Sequence, residues 1–544
     1  MVVEKLIRWL KPQRLVPLAF RLRPASEFII FQGQRLTRRQ VFTRVEQLAA
    51  GLQALGVKKG DRVATLLPAC PEAVYPIFLP SMLGAVIVPL NPFLGEHELR
   101  HILADCGARV VITARNWYGQ DYPKMLARLL PDLPDLCHIL VREASDGDGR
   151  VFLPLNQVMS PGKPLRRTTL SGSDPIIIYY TSGTTGRPKG ALHTHGRIWG
   201  ILARSARARL GLSPLRCLLL PFSPYQFAGL FGIVVTLLAG GKVILMDHFD
   251  PHQMLEYIQR ERVSQIGGSA TMYRLLLLTP GQERYDLSSV RRLTFSAEPM
   301  PFDLAQALYE RMRCNLENFY GTSESMLISW TGVDDPWERA ASTVGKPVPG
   351  ARVRILDDER RPLTAGERGE VAVQTSQMMM GYYNDPELTA QVLDAEGWFH
   401  TGDIGYVGED GCLRLVDRKK DLILRGGQNI YPLEIEQYLE RHPAIRRAAV
   451  IGVPWTHSLR SGLRLSAGAG EAGGEAVMAY LELQPGAKLS VKEVLEFCRG
   501  QIAPFKIPEQ VRFVERLPTT ATNKVQKFRL REMAAQELSP DATA

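Results

Sequence analysis

The chain has 544 residues, too many for one compact core, so at least two domains are expected. Hydrophobic content of 45% and charged content of 22% are ordinary for a soluble globular enzyme. Net charge is +10, from 66 basic against 56 acidic side chains; this suits anionic partners, while the lack of zinc-finger spacing or a dense Lys/Arg run sets nucleic acid aside.

Residues 1–23 are basic and apolar, with Lys5, Arg8, Trp9, Lys11 and Arg14. Such an arm suits weak contact with an anionic membrane surface, but Pro12 and Pro17 interrupt it, so a helix packed on its own domain is preferred. Thr37 and Gln40 form a capping-box pair ahead of Val41, Val45, Leu48, Leu52 and Leu55 at helical spacing, closed by Gly56. Strands are expected at 63–67, 84–90 and 110–113, with a helix at 96–105. Alternation of this kind predicts a largely parallel sheet covered on both faces. Residues 143–173 read as polar and irregular. Two uncharged stretches, 73–95 and 217–241, are long enough to span a bilayer, but their prolines assign them to buried core. The seven cysteines include no CxxC pair and read as reduced thiols of a cytoplasmic protein, and no secretory signal is visible.

The apolar run Ile176-Ile177-Ile178 predicts a buried strand leading into Thr181-Ser182-Gly183-Thr184-Thr185-Gly186-Arg187-Pro188-Lys189-Gly190. Glycines let backbone N–H groups turn towards an anion, the hydroxyls add donors, and Lys189 supplies a mobile positive charge. The segment reads as a loop suited to polyphosphate, and Pro188 before the lysine separates it from the Walker pattern. It matches every fixed position of the Thr-Ser-Gly-Thr-Thr-Gly-x-Pro-Lys-Gly loop of the adenylate-forming enzymes. The chain therefore resembles that family, which includes acyl-CoA synthetases, peptide-synthetase adenylation domains and luciferases.

The resemblance extends along the chain. Ser296, Ala297 and Glu298 resemble the segment that flanks the acyl group and adenine. Within Asn318-Phe319-Tyr320-Gly321-Thr322-Ser323-Glu324 it implies that Tyr320 stacks on adenine and Asn318 bonds its amino group. Ser323, standing where threonine is usual, holds the α-phosphate, and Glu324 binds Mg²⁺. Asp403 accepts both ribose hydroxyls, Arg418 reaches ribose and phosphate, and Lys420 occupies the hinge. The loop with Gly426 and Gly427 swings towards the pantetheine channel of CoA, and Lys524 is assigned to adenylation. The chain departs from the pattern in two places. Pro221-Phe222-Ser223-Pro224-Tyr225-Gln226-Phe227 lacks the family's pocket histidine, and Asn523 replaces the glycine before Lys524. The Gly/Ala/Ser-rich stretch 458–474 reads as a surface insert without an assigned function.

The implied fold is α/β: a large N-terminal domain of several subdomains over 1–417, a hinge at 418–421, and a small mobile α/β lid over 422–544 carrying Lys524. The implied activity is that of an ATP-dependent acyl-CoA synthetase with ATP, Mg²⁺ and CoA, acting on a fatty or aromatic acid as monomer or homodimer. Lys524, Glu324 and Lys189 are its catalytic candidates. The alternatives are an adenylating enzyme that passes its acyl group to a carrier protein, disfavoured because no carrier segment follows Ala544, and a non-catalytic nucleotide-binding homologue.

Overall fold

The computed structural model describes residues 12–144, 151–160, 162, 164–166, 168–182, 188–198, 217–296, 300–357, 359–418, 423–425, 428–430, 432–454, 475–518, 525 and 527–538. Two mostly parallel sheets make the body of the large domain. One has nine strands, in the spatial order Lys346–Pro347, Met326–Trp330, Asn315–Thr322, Arg292–Ser296, Gln265–Gly268, Cys217–Leu220, Lys242–Leu245, Glu27–Phe31 and Gln34–Thr37. The other has eight, in the order Gly381–Tyr382, Pro188–Thr194, Pro175–Ser182, Val86–Pro89, Arg62–Leu66, Val110–Thr113, His138–Val141 and Phe152–Pro154. Strands such as Val110–Thr113 and Cys217–Leu220 are buried along their whole length, as a sheet covered on both faces requires.

The capping box is present as expected: Thr37 accepts from the Gln40 amide and Gln40 from the Thr37 amide, opening the helix Arg38–Ala54. The stretches 73–95 and 217–241 fold as short helices and strands, and no helix among the described residues is long and apolar enough to cross a membrane. The expectation of irregular chain over 143–173 needs correction. Phe152–Pro154 adds an edge strand beside His138–Val141, and Leu155–Val158 is a short helix. Only three residues pair there, too few to show a period in the sequence.

Residues 1–11 of the arm lie outside the described residues, while the helix Pro12–Arg21 turns Leu15, Val16, Ala19 and Phe20 into the core. Buried Arg38 ties it down, donating to the Ala19 and Leu22 carbonyls at 3.1 and 3.2 Å and to Leu237 at 3.0 Å. All seven cysteines are free, and six are buried.

A four-stranded antiparallel sheet, Ala351–Leu356, Gly369–Thr375, Phe399–Val407 and Leu413–Arg418, follows. Beyond it the lid has its own sheet, Ile445–Pro454, Glu475–Leu483 and Gln510–Val514, plus the hairpin Ile423–Arg425 and Gln428–Ile430. Lid residues alone, such as Ile435, Leu439, Val450, Leu481 and Val494, make up its core cluster. The small C-terminal domain therefore has a core of its own.

Candidate active site

Strand register explains how the charged groups meet. Thr181 is the pairing partner of Lys189, and Ala191 pairs with both Tyr179 and Tyr382, so these side chains share one sheet face. Lys189 donates to the Tyr382 hydroxyl, which in turn donates to Glu324 Oε1 at 2.6 Å. The Lys189 ammonium lies 3.6 Å from the same carboxylate and 4.3 Å from the Tyr382 ring centre. Glu324 comes from the other large sheet, just past the strand Asn315–Thr322. Tyr382 is a member of this cluster that motif reading misses; a lone tyrosine carries no pattern.

Behind the cluster, His193 is wholly buried and its Nε2 lies 2.7 Å from the Ser323 carbonyl. Burial drives its pKa down to about 4, so the ring is neutral at physiological pH. The hydroxyls of Tyr179 and Thr181 are buried with no hydrogen-bond partner among the described residues. A buried unsatisfied donor is costly, and both stand on the strand entering the phosphate loop.

Six residues before Glu324, at Asn318, the strand Asn315–Thr322 begins a second group. Tyr320 donates to Asp403 Oδ2 at 2.5 Å, and both are buried. Asn318 commits its amide hydrogens to the Ala340 and Thr343 carbonyls at 3.1 and 3.0 Å, which leaves its carbonyl oxygen as the acceptor. An acceptor is what a purine amino group requires. Asp403 is aimed by local chemistry: Gly402 takes a φ of +72°, and the Thr401 hydroxyl accepts from the Asp403 amide at 3.0 Å. Arg418 is the register partner of Asp403 across the sheet. Ser296 ends the neighbouring strand as the partner of Phe319.

The structure thus brings together Lys189, Glu324, Ser323, Asn318, Tyr320 and Asp403 on a continuous path. Gly183, Thr184, Thr185, Gly186, Ala297, Glu298, Lys420, Gly426, Gly427 and Lys524 lie outside the described residues, as do the side chains of Ser182 and Arg418 and the insert 458–474.

A family profile described as AMP-binding enzyme matches residues 19–383, and one described as AMP-binding enzyme C-terminal domain matches residues 467–524. The chain belongs to the AMP-binding enzyme family. A feruloyl-CoA synthase from Amycolatopsis sp is 34% identical over 522 residues, covering 94% of this chain and 96% of the relative. A long-chain-fatty-acid–CoA ligase of Bacillus subtilis (strain 168) is 32% identical over 546 residues, covering 94% and 92%. Among solved structures, the amide bond synthetase McbA from Marinactinospora thermotolerans superposes with a TM-score of 0.82 at 29% identity, over 96% of this chain and 99% of that one. The o-succinylbenzoate CoA synthetase MenE from Bacillus subtilis, bound to a product analogue, gives 0.80 at 26% identity, over 95% and 98%. The fold is accordingly that of the adenylate-forming enzymes, a large α/β domain followed by a small one.

For this AMP-binding enzyme a divalent ion can be tested against the donor set. Among the described residues no three His, Cys, Asp or Glu side chains converge to cage a metal. Glu324 offers a carboxylate 3.6 Å from the Lys189 ammonium, which fits Mg²⁺ shared with phosphate oxygens and water. A small apolar cavity, lined by Leu67, Ile77, Ile87, Pro89, Tyr225 and Leu230, opens beside the segment that lacks the pocket histidine. There the Tyr225 hydroxyl accepts from Gln226 Nε2 at 3.0 Å, with Gln428 of the hairpin close by.

Proposed function

We propose that the chain is an ATP-dependent carboxylic acid–CoA ligase acting on a fatty or aromatic acid. The observation that carries this reading is the joining, along the one stretch 318–324, of an adenosine-sized polar group (Asn318, Tyr320, Asp403) to a phosphate-sized charged one (Lys189, Glu324). That spacing suits one nucleotide laid along one strand. The relatives, a feruloyl-CoA synthase and a long-chain-fatty-acid–CoA ligase, suggest the substrate class.

In the first step a carboxylate oxygen attacks the α-phosphorus of ATP, the bond to the bridging oxygen breaks, and pyrophosphate leaves. Negative charge gathers on the phosphates, so fixed positive charge and donors should dominate the rate. Lys189 faces the departing pyrophosphate and Thr181 donates to it, Tyr320 and Asp403 hold the adenosine, and Lys524 neutralises the α-phosphate. Mg²⁺ at Glu324 supplies additional charge neutralisation when bound. In the second step the CoA sulfur attacks the acyl carbonyl, its proton is lost to solvent, and AMP leaves with the former carboxylate oxygen.

ATP–pyrophosphate exchange across a panel of acids, followed by thioester detection on adding CoA, tests the reading. Exchange with at least one cinnamate-type or fatty acid and CoA-dependent thioester formation are expected. Exchange with no acid on the panel would overturn it. The likeness to McbA favours one second reading, an amine as the acceptor of the acyl group, and amide product formed without CoA would establish that instead.

A further inference from the structure

The lid meets the large domain through a buried ionic contact that the adenylation chemistry does not use. Lys506 of the lid pairs with Glu98 on the large domain's helix Glu96–Cys106, and with Glu434 of the lid at 2.7 Å. All three side chains are less than 8% exposed. Glu98 Oε2 also accepts from Ala503 of the lid at 3.1 Å and from Gly95 of its own domain at 2.8 Å. Alongside, the Glu96 amide donates to the Gly500 carbonyl at 3.2 Å. Gly95 has extended backbone, φ −80° and ψ 170°, which any residue can adopt. Yet a Cβ there would overlap the Gln501 carbonyl and lie 2.6 Å from the Ile502 nitrogen, both lid backbone. The missing side chain makes room for the lid.

This contact reaches the acyl side of the site through a short relay. Next to Lys506, the Phe505 carbonyl accepts from Arg425 at 3.0 Å, and Arg425 also pairs with Glu509. Arg425 is the pairing partner of Gln428 in the hairpin, and Gln428 lies close to Tyr225 at the cavity wall. Seating Lys506 on Glu98 thereby fixes where the hairpin touches the large domain.

We propose that Gly95, Glu98 and Lys506 form a seat that positions the lid for the thioester-forming step, and that they are not needed for adenylation. The inference rests on the two-step ligase reading for its chemical consequence, though not for the seat itself. Because each domain has its own core, removing one charge weakens docking more than folding: without Lys506 the docked state buries the Glu98 carboxylate with no cation, and without the Glu98 charge Lys506 keeps only Glu434.

The test uses full-length Gly95→Ala, Glu98→Gln and Lys506→Met. Gly95→Ala is the steric probe, since its added methyl meets only the lid. Hydrogen exchange is read over peptides 95–99 and 500–506, alongside pyrophosphate exchange and single-turnover thioester formation from supplied acyl adenylate and CoA. Faster amide exchange at both peptides is expected in all three variants, with pyrophosphate exchange within about threefold of wild type and thioester formation at least about tenfold slower. The double variant Glu98→Gln/Lys506→Met should be no worse than the poorer single one, as for a single shared contact. Unchanged amide exchange, equal loss of both half-reactions, or additive losses in the double variant would each overturn the seat. A wild-type protein inert in both half-reactions would instead strike down the ligase reading, while amide exchange still judges the seat.

Discussion

Tyr382 shows how a single side chain can matter without any motif around it. Its hydroxyl accepts from Lys189 and donates to Glu324, joining the phosphate strand to the carboxylate proposed for Mg²⁺. Without it, two opposite charges 3.6 Å apart would have no neutral group to set their spacing. Tyr382→Phe removes one oxygen and leaves the ring under the Lys189 ammonium, so the chain should still fold, with a lowered thermal midpoint. A lost hydrogen bond to a charged group is worth about 1.5–3 kcal/mol, so kcat/KM for ATP in pyrophosphate exchange should fall by roughly 10- to 100-fold. Glu324→Gln removes the carboxylate itself and should cost more; if Tyr382→Phe matches wild type in exchange, the bridge is only structural. Lys189, Glu324 and Asp403 are visible in the sequence because each lies in a run whose glycines and hydroxyls make chemical sense only together. Tyr382 gains its place from the pairing of two strands whose closest points are separated by nearly two hundred residues, which no local pattern encodes.

At the level of elements, the sequence carries what depends on neighbours. The Thr37–Gln40 pair opens its helix and the buried run Val110–Thr113 forms its strand, both as read. What it hides is long-range polar packing, and Arg38 is the clearest case. It reads as one of many basic side chains, yet it is 2% exposed and fastens the end of Pro12–Arg21 to the end of Phe227–Leu238. Both contacts are at carbonyl ends of helices, where a cation also meets the favourable end of the helix dipole. Burial lowers its pKa from the usual arginine value, but the side chain keeps its charge through these carbonyls. Arg38→Met keeps much of the apolar stem while withdrawing the donors from the Ala19, Leu22, Leu237 and Gly241 carbonyls. It should destabilise the large domain by about 2–4 kcal/mol in denaturant unfolding. A loss under about 0.5 kcal/mol, the size of an ordinary surface change, would show that water satisfies these carbonyls instead.

For the whole molecule, the buried carboxylates at the lid boundary predict a dependence on pH. Burial, with the Glu98 carboxylate adding to it and Lys506 opposing, pushes Glu434 up to about 8 from its usual value near 4.5. Lysine stays charged beside two acidic groups, and Glu98, fixed by Lys506 and two backbone amides, keeps its charge. The proton therefore belongs to Glu434 when the lid is seated. If lifting the lid returns Glu434 to water, seating takes up one proton between pH 4.5 and about 8. A group raised in the seated state stabilises that state fully below its free value and loses the contribution as pH rises through its raised one. Seating should thus weaken steadily from mildly acidic solution towards pH 8 and then level off. Dyes on the large domain and the lid, read by energy transfer from pH 6 to pH 9, would follow the seated fraction directly. Glu434→Gln holds a neutral amide at every pH and should flatten the curve, leaving Lys506 paired with Glu98. A wild-type curve as flat as that of Glu434→Gln would mean that the carboxylate is equally buried in both lid positions, and the pH dependence would have to be abandoned.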